Sequence, residues 1–208
     1  RTDSGVHALG NVAVFDTCAR IPAKKFSYAL NQRLPEDIRI RGSREVPPSF
    51  HPRKTSSIKT YEYRILNEEF PDPVKRLYSY FTYRALDEER MRLAAAYLVG
   101  EHDFASFCSA GAQTDTTVRT IYACQVVRKG TEIVIRISGS GFLYNMVRII
   151  AGTLMEVGKG NLAPEAMEGI LKAVDRRAAG PTAPPKGLIL ISYRFPELEE
   201  ETGKTTFS

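Results

Sequence analysis

Residues 118–138 read Val-Arg-Thr-Ile-Tyr-Ala-Cys-Gln-Val-Val-Arg-Lys-Gly-Thr-Glu-Ile-Val-Ile-Arg-Ile-Ser. Two strand-like runs, Val118 to Val127 and Glu132 to Ser138, flank Lys129-Gly130, and a glycine between β-branched runs signals a hairpin turn. A hairpin makes its strands antiparallel. Working outward, Ser56 to Leu66 alternates as a strand, Leu77 to Tyr83 is aromatic and strand-like, and Leu188 to Phe195 is the last strand. Asn11 to Phe15 and Asp37 to Arg41 are also expected as strands. Helices are expected over Ala23 to Leu34, between Pro22 and Pro35, and over Glu88 to Leu98, stopped at Gly100. Two more follow, Leu143 to Val157 and Pro164 to Val174, and then a Pro/Ala/Gly-rich loop from Ala178 to Gly187. Both halves alternate strand, helix and strand at antiparallel spacing. That predicts an α+β fold of two related subdomains, not a doubly wound parallel sheet.

The chain has 208 residues, 43% hydrophobic and 25% charged, ordinary values for a globular protein. No apolar run approaches the ~18 residues that a membrane span needs. Cys18, Cys108 and Cys124 are few and far apart, which points to a reducing compartment, the cytoplasm, and to no disulfide framework. His7, His51 and His102 are equally scattered, so no metal site is expected. The net charge of +5 is uneven: residues 1–60 carry eleven Lys/Arg against five Asp/Glu. A basic lobe holding Arg53, Lys54 and Lys59 fits either a soluble surface or a phosphate-rich partner. Residues 197–208 form an acidic tail with the composition of a disordered segment.

Arg1-Thr2-Asp3-Ser4-Gly5-Val6-His7-Ala8 opens the chain. It sets a carboxylate two residues after a guanidinium, whose charge favours the ionised acid, with a glycine placed for a tight turn. Such a carboxylate can serve as nucleophile or base, or simply sit in a surface ion pair. Tyr61 lies mid-strand with Tyr63 on the same face. On the helix from Leu143, Met146, Ile149, Ile150, Thr153, Leu154 and Val157 make one apolar stripe. Arg148 falls nearly opposite, beside Asn145 and Gly152, whose small size lets another backbone or a nucleic acid come close. His102-Asp103, Ser4 and Ser106 lack catalytic context, and His7 is read as structural. Gly139-Ser140-Gly141 before a helix is a weak phosphate-binding signal.

Arg1 to Ala8 resembles the signature of the TruA family of tRNA pseudouridine synthases. Lys59-Thr60-Tyr61-Glu62-Tyr63 resembles the family's tyrosine-bearing strand. Phe142 to Arg148 resembles its arginine-bearing segment, and Pro185-Lys186-Gly187-Leu188 its C-terminal motif. The four blocks run in family order along nearly the whole chain. The resemblance implies two subdomains, residues 1–100 and 101–196, whose antiparallel sheets join into one broad sheet with helices on one side and the active cleft between. It implies that Asp3 is catalytic, that Arg148 pairs with it, and that Tyr61 stacks on the target base. Arg1, Arg53, Lys54 and Lys59 would bind tRNA. It also implies a further N-terminal strand and helix, so the chain is expected to be a fragment with an exposed sheet edge.

The implied reaction breaks the C1′–N1 bond of uridine, turns the uracil and rejoins it through C5. No atom is gained or lost, so no cofactor is expected. The target base must be flipped out of its stack, at a cost of a few kcal/mol, with Arg1 helping to fill the gap. The implied substrates are uridines 38, 39 and 40 of the tRNA anticodon arm, and the implied assembly is a homodimer. Two other readings remain: an RNA-binding protein without catalysis, and a glycoside hydrolase, which needs a second carboxylate roughly 5–10 Å from Asp3.

Overall fold

The computed structural model describes residues 2–112 and 114–198. Among them, seven strands form one sheet: β1 (His7–Ala8), β2 (Ile58–Asn67), β3 (Tyr80–Thr82), β4 (Gly100–Asp103), β5 (Val118–Lys129), β6 (Glu132–Gly139) and β7 (Leu188–Arg194). Their order is β1-β7-β2-β6-β5-β4, with β3 pairing along β2 beyond the start of β7. The β5–β6 hairpin is as the sequence predicts. Lys129 faces Glu132 across the turn, and Gly130 takes φ 60°, a backbone that a side chain rarely tolerates. β2 adds antiparallel to β6, with Tyr63 opposite Ile135. Alternation then sends Tyr61, Tyr63 and Ile65 to one face and Glu62 and Arg64 to the other. On that outer face the Glu62 carboxylate accepts from Arg64 at 3.0 Å and from Arg136 at 2.9 Å.

The helices α2 (Glu88–Ala96), α3 (Met146–Gly158) and α4 (Ala166–Ala173) bury their apolar side chains with the inner face of the sheet in a single core. Asp87 starts α2 by accepting from the Arg90 amide at 3.0 Å, one of the orphan donors of the first turn. The expected stripe of α3 is buried, and burial goes further. Of its thirteen residues, only Arg148 and Glu156 are not buried. A helix apolar all round belongs inside a core. Glu156 has a structural use, accepting from Lys159 and Asn161. The chain of residues 180–187 crosses α3 at backbone contact. A Cβ on Gly152 would lie 1.8 Å from the Pro181 carbonyl oxygen, and the Gly180 amide donates to Thr153 Oγ1 at 2.9 Å.

Four expectations need correction. The sheet is mixed, because β1–β7 and β2–β3 are parallel. Neither pair is joined by a tight turn, so nothing obliges antiparallel pairing. No strand forms at residues 11–15 or 37–41. Residues 12–55 instead make a separate compact unit around α1 (Phe26–Asn31), shorter than the helix expected there. In that unit the Asn31 side chain takes both backbone groups of Ile40 at 2.8 Å, standing in for a neighbouring strand, and Ile38 is exposed. Conversely, β4 was not foreseen. Its Gly-Glu-His-Asp sequence carries no apolar alternation, yet its backbone pairs with β5. Arg1 and residues 199–208 of the acidic tail lie outside the described residues, while Leu198 is buried. Among the described residues, no helix is long and apolar enough to cross a membrane.

The crossing over α3 predicts opposite outcomes for two glycines. Gly152→Ala should cost about 3 kcal/mol, since the clash is with backbone and α3 is held by the core. Gly169→Ala in α4, with open space around it, should gain about 0.4–1 kcal/mol by restricting the unfolded chain. Urea denaturation of both variants checks this.

Candidate active site

Asp3 stands in a tight turn, where the Val6 amide donates to the Asp3 carbonyl at 3.1 Å and Gly5 takes φ 79°. That geometry is a type II turn, which calls for glycine at its third position. The turn is held from two sides. A Cβ on Gly5 would lie 3.0 Å from Pro185 Cγ, so the opening octapeptide packs against the Pro185–Leu188 block. His7 shares a hydrogen bond with the Leu77 carbonyl at 2.7 Å, and its ring centroid lies 4.8 Å from that of Tyr78. His7 is therefore an anchor of the turn. The Asp3 side chain is exposed.

Tyr61 lies on the inner face of β2, opposite Ile137 of β6 and Leu190 of β7, at a bulge between Thr60 and Tyr61. Phe142 meets its ring edge-on, with centroids 5.2 Å apart and planes at 87°. This arrangement suits the ring quadrupoles and fixes the tyrosine. The phenol is pushed up to about 12, first by burial, then by the negative charge of Asp3 and by Tyr193. Asp3 thus sits close enough to Tyr61 for its charge to be felt at the phenol. Two blocks separated by more than fifty residues of sequence converge there.

Arg148 projects from the first turn of α3. Its Nε donates to the Ala183 carbonyl and its Nη1 to Asn145 Oδ1, each at 2.7 Å. The Ala183 amide returns a bond to the Arg148 carbonyl at 3.1 Å. Tyr63, next along the inner face of β2, donates to the Pro184 carbonyl at 2.9 Å. Its phenol is raised by burial and by Tyr80, and the Arg148 guanidinium opposes the rise. Arg148 is therefore beside Tyr63 in the neighbourhood of Tyr61. Among the described residues, however, Asp3 and Arg148 form no ion pair with each other. The guanidinium is held by a carbonyl and an amide instead. Its charge adds to the positive end of the α3 dipole, so the site presents positive potential to any anion that enters.

Lys59 is half-buried, its ammonium 4.7 Å from the Tyr193 ring centroid. Arg53 and Lys54 are exposed on a turn of the 12–55 unit, whose backbone bonds to His51. Arg1 lies outside the described residues. Ser106 is fully buried between the Ile170 carbonyl and the Asp175 amide, and His102 and Asp103 bond to separate backbone groups, so neither forms a dyad. Gly139 serves the β5–β6 pairing, where a Cβ would meet the Thr120 oxygen at 2.7 Å, and α3 starts only at Met146. The phosphate reading of residues 139–141 has no helix end to rest on. Sequence reasoning missed Phe142 and Asn145 as partners of the site, although both lie in the recognised arginine block. Nothing in the sequence marked Tyr193 or Ala183.

Comparison with known proteins gives the family. A family model described as tRNA pseudouridine synthase matches residues 94–196. The tRNA pseudouridine synthase A of Geotalea uraniireducens is 50% identical over 195 residues, 94% of this chain and 80% of the relative. That of Bacillus subtilis is 49% identical over 191 residues, 91% of this chain and 77% of the relative. That of Halalkalibacterium halodurans is 45% identical over 206 residues, 99% of this chain and 78% of the relative. With three of its recognised blocks meeting around Asp3, Tyr61 and Tyr63, and the fourth supplying Phe142 and Arg148, the chain belongs to the tRNA pseudouridine synthase family.

Proposed function

We propose that this chain isomerises uridine to pseudouridine in tRNA, at positions 38, 39 and 40 of the anticodon arm, with Asp3 as the catalytic group. The observation that carries this reading is the Asp3 charge beside a half-buried, edge-packed tyrosine in an otherwise apolar face. Tyr61 offers an aromatic platform, and stacking a base on such a ring contributes roughly 1–3 kcal/mol whatever the base. Its phenol stays neutral at physiological pH, so it can donate a hydrogen bond without repelling the Asp3 carboxylate. Arg148, with the α3 N-terminus, supplies the positive field that holds Asp3 and the substrate's anionic groups in place. Arg1, Arg53, Lys54 and Lys59 bind phosphates, and Arg1 enters the gap left by the flipped base.

In the reaction, the C1′–N1 bond breaks, a C1′–C5 bond forms, the C5 hydrogen leaves as a proton and N1 gains one. Charge and oxidation state balance within the nucleoside, so acid–base groups suffice. Two routes are open to Asp3: attack on the sugar or base, or proton abstraction from the ribose. In this reading residues 1–100 and 101–196 are the two catalytic subdomains flanking the cleft. The protein works as a cytoplasmic homodimer that presents the tRNA across both subunits.

Asp3→Asn should lower tritium release from C5-labelled uridine in tRNA by about 10⁴-fold or more, as removal of a reacting group does. Its affinity for tRNA should stay nearly unchanged. Retained release would reject the assignment, and binding with no release by the unaltered protein would favour the noncatalytic RNA-binding reading. The same variant tests the geometry without substrate. Removing a negative charge favours the phenolate, so the Tyr61 midpoint, about 12 in the native protein, should move down. Burial, the larger cause, should keep it above the ordinary tyrosine value. A site-resolved 13Cζ-tyrosine titration reads this, and an unmoved midpoint would place Asp3 away from Tyr61.

A further inference from the structure

We propose that Asn145 and Ser109 are positioning residues that set the direction in which the Arg148 guanidinium points. This inference rests on the role given to Arg148 above. Asn145 occupies the N-cap of α3 at φ 61° and ψ 6°, in the left-handed region. Asparagine at an N-cap usually takes an extended backbone and turns its side-chain oxygen onto a free amide of the first turn. Here no such cap bond forms. The side chain serves Arg148 instead: Oδ1 accepts from Nη1 at 2.7 Å, while Nδ2 donates to Ser109 Oγ at 3.0 Å. A guanidinium only donates, so the oxygen of the amide must face it, and the nitrogen is left for the serine. Ser109 is itself fixed, its amide donating to the Tyr144 carbonyl at 3.1 Å.

A planar guanidinium held at one atom can still swing. Arg148 is held at two, by Asn145 on Nη1 and by the Ala183 carbonyl on Nε. Those two bonds fix the plane, and with it the direction of Nη2. Among the described residues nothing accepts from Nη2, so it is the donor left to face a bound ligand. The left-handed backbone explains the choice of residue. It turns the side chain back over the first helical turn, and asparagine enters that region more readily than most residues. A helix that gives up its side-chain cap and adopts strained backbone at the same residue, beside a functional arginine, follows the pattern of sites that trade stability for geometry.

Asn145→Gly separates positioning from folding, because glycine takes the left-handed backbone without strain and removes only the amide. Single-turnover tritium release with saturating protein should fall about 100-fold, the scale of a misplaced catalytic group. The melting temperature should not drop, and tRNA affinity should hold. Asn145→Asp keeps an acceptor for Nη1 and should recover most of the rate, while Ser109→Ala should show a smaller loss than Asn145→Gly. Independently of turnover, 15N–1H spectra of the guanidinium should show slow rotation of Nη1 in the native protein and averaging in Asn145→Gly. A native rate in Asn145→Gly overturns the proposal, as does an unchanged guanidinium spectrum. If the native protein itself released no tritium, the proposed reaction would fail. The spectrum, recorded without substrate, would still decide whether Asn145 orients Arg148.

Discussion

Where residues 180–187 cross α3, the Pro181 carbonyl occupies the space that any side chain at position 152 would need. The approach is closed by two further contacts, Gly180 on Thr153 and Ala183 on Arg148, and both use backbone groups. From there the same segment runs on to accept the Tyr63 hydroxyl at Pro184, to seat Gly5 against Pro185, and to lay Gly187 against Tyr63 and the Arg64 carbonyl. One strap of chain thus touches the helix that carries Arg148, the strand that carries Tyr61 and the turn that carries Asp3. At Gly152, Gly180, Gly5 and Gly187 the approach is close because no side chain stands in the way. A bulkier residue on α3 would lift the strap and separate the three groups.

What the strap assembles is an electrostatic arrangement as much as a shape. Tyr61 is half-buried among apolar neighbours with a carboxylate nearby, so its phenol is held neutral well above physiological pH. Arg148 is one of two residues of α3 that are not buried, and it sits at the positive end of the helix. A cation there is unfavourable for the helix alone and becomes useful once an anion is close. An exposed carboxylate and an anchored guanidinium thus lie in the neighbourhood of the same tyrosines, without pairing with each other.

The periodic parts of this fold were legible in the sequence. The β5–β6 hairpin, β2 and the stripe of α3 all announce themselves by spacing, and the small face of α3 beside Arg148 correctly signalled a close backbone approach. Residues 11–15 and 37–41 show the same alternation over too few residues to prove a partner strand, and Asn31 satisfies Ile40 in its place. β4 is a strand only because β5 offers it hydrogen bonds, a fact its own polar residues do not reveal. For the site, Asp3, Tyr61 and Arg148 were singled out by the resemblance of their surrounding blocks. The anchors of Arg148 could not be read in the same way, since Ala183 lies 35 residues on and acts through a backbone carbonyl, which has no sequence signature.

The central claim is that one carboxylate, Asp3, performs uridine isomerisation in the anticodon arm. A pseudouridine map of tRNA from cells lacking the gene, complemented with either the native or the Asp3→Asn form, tests it most directly. Pseudouridine at positions 38, 39 and 40 should disappear with the gene, return with the native form and stay absent with Asp3→Asn. Return of those modifications with the Asp3→Asn form, or their persistence without the gene, would contradict it.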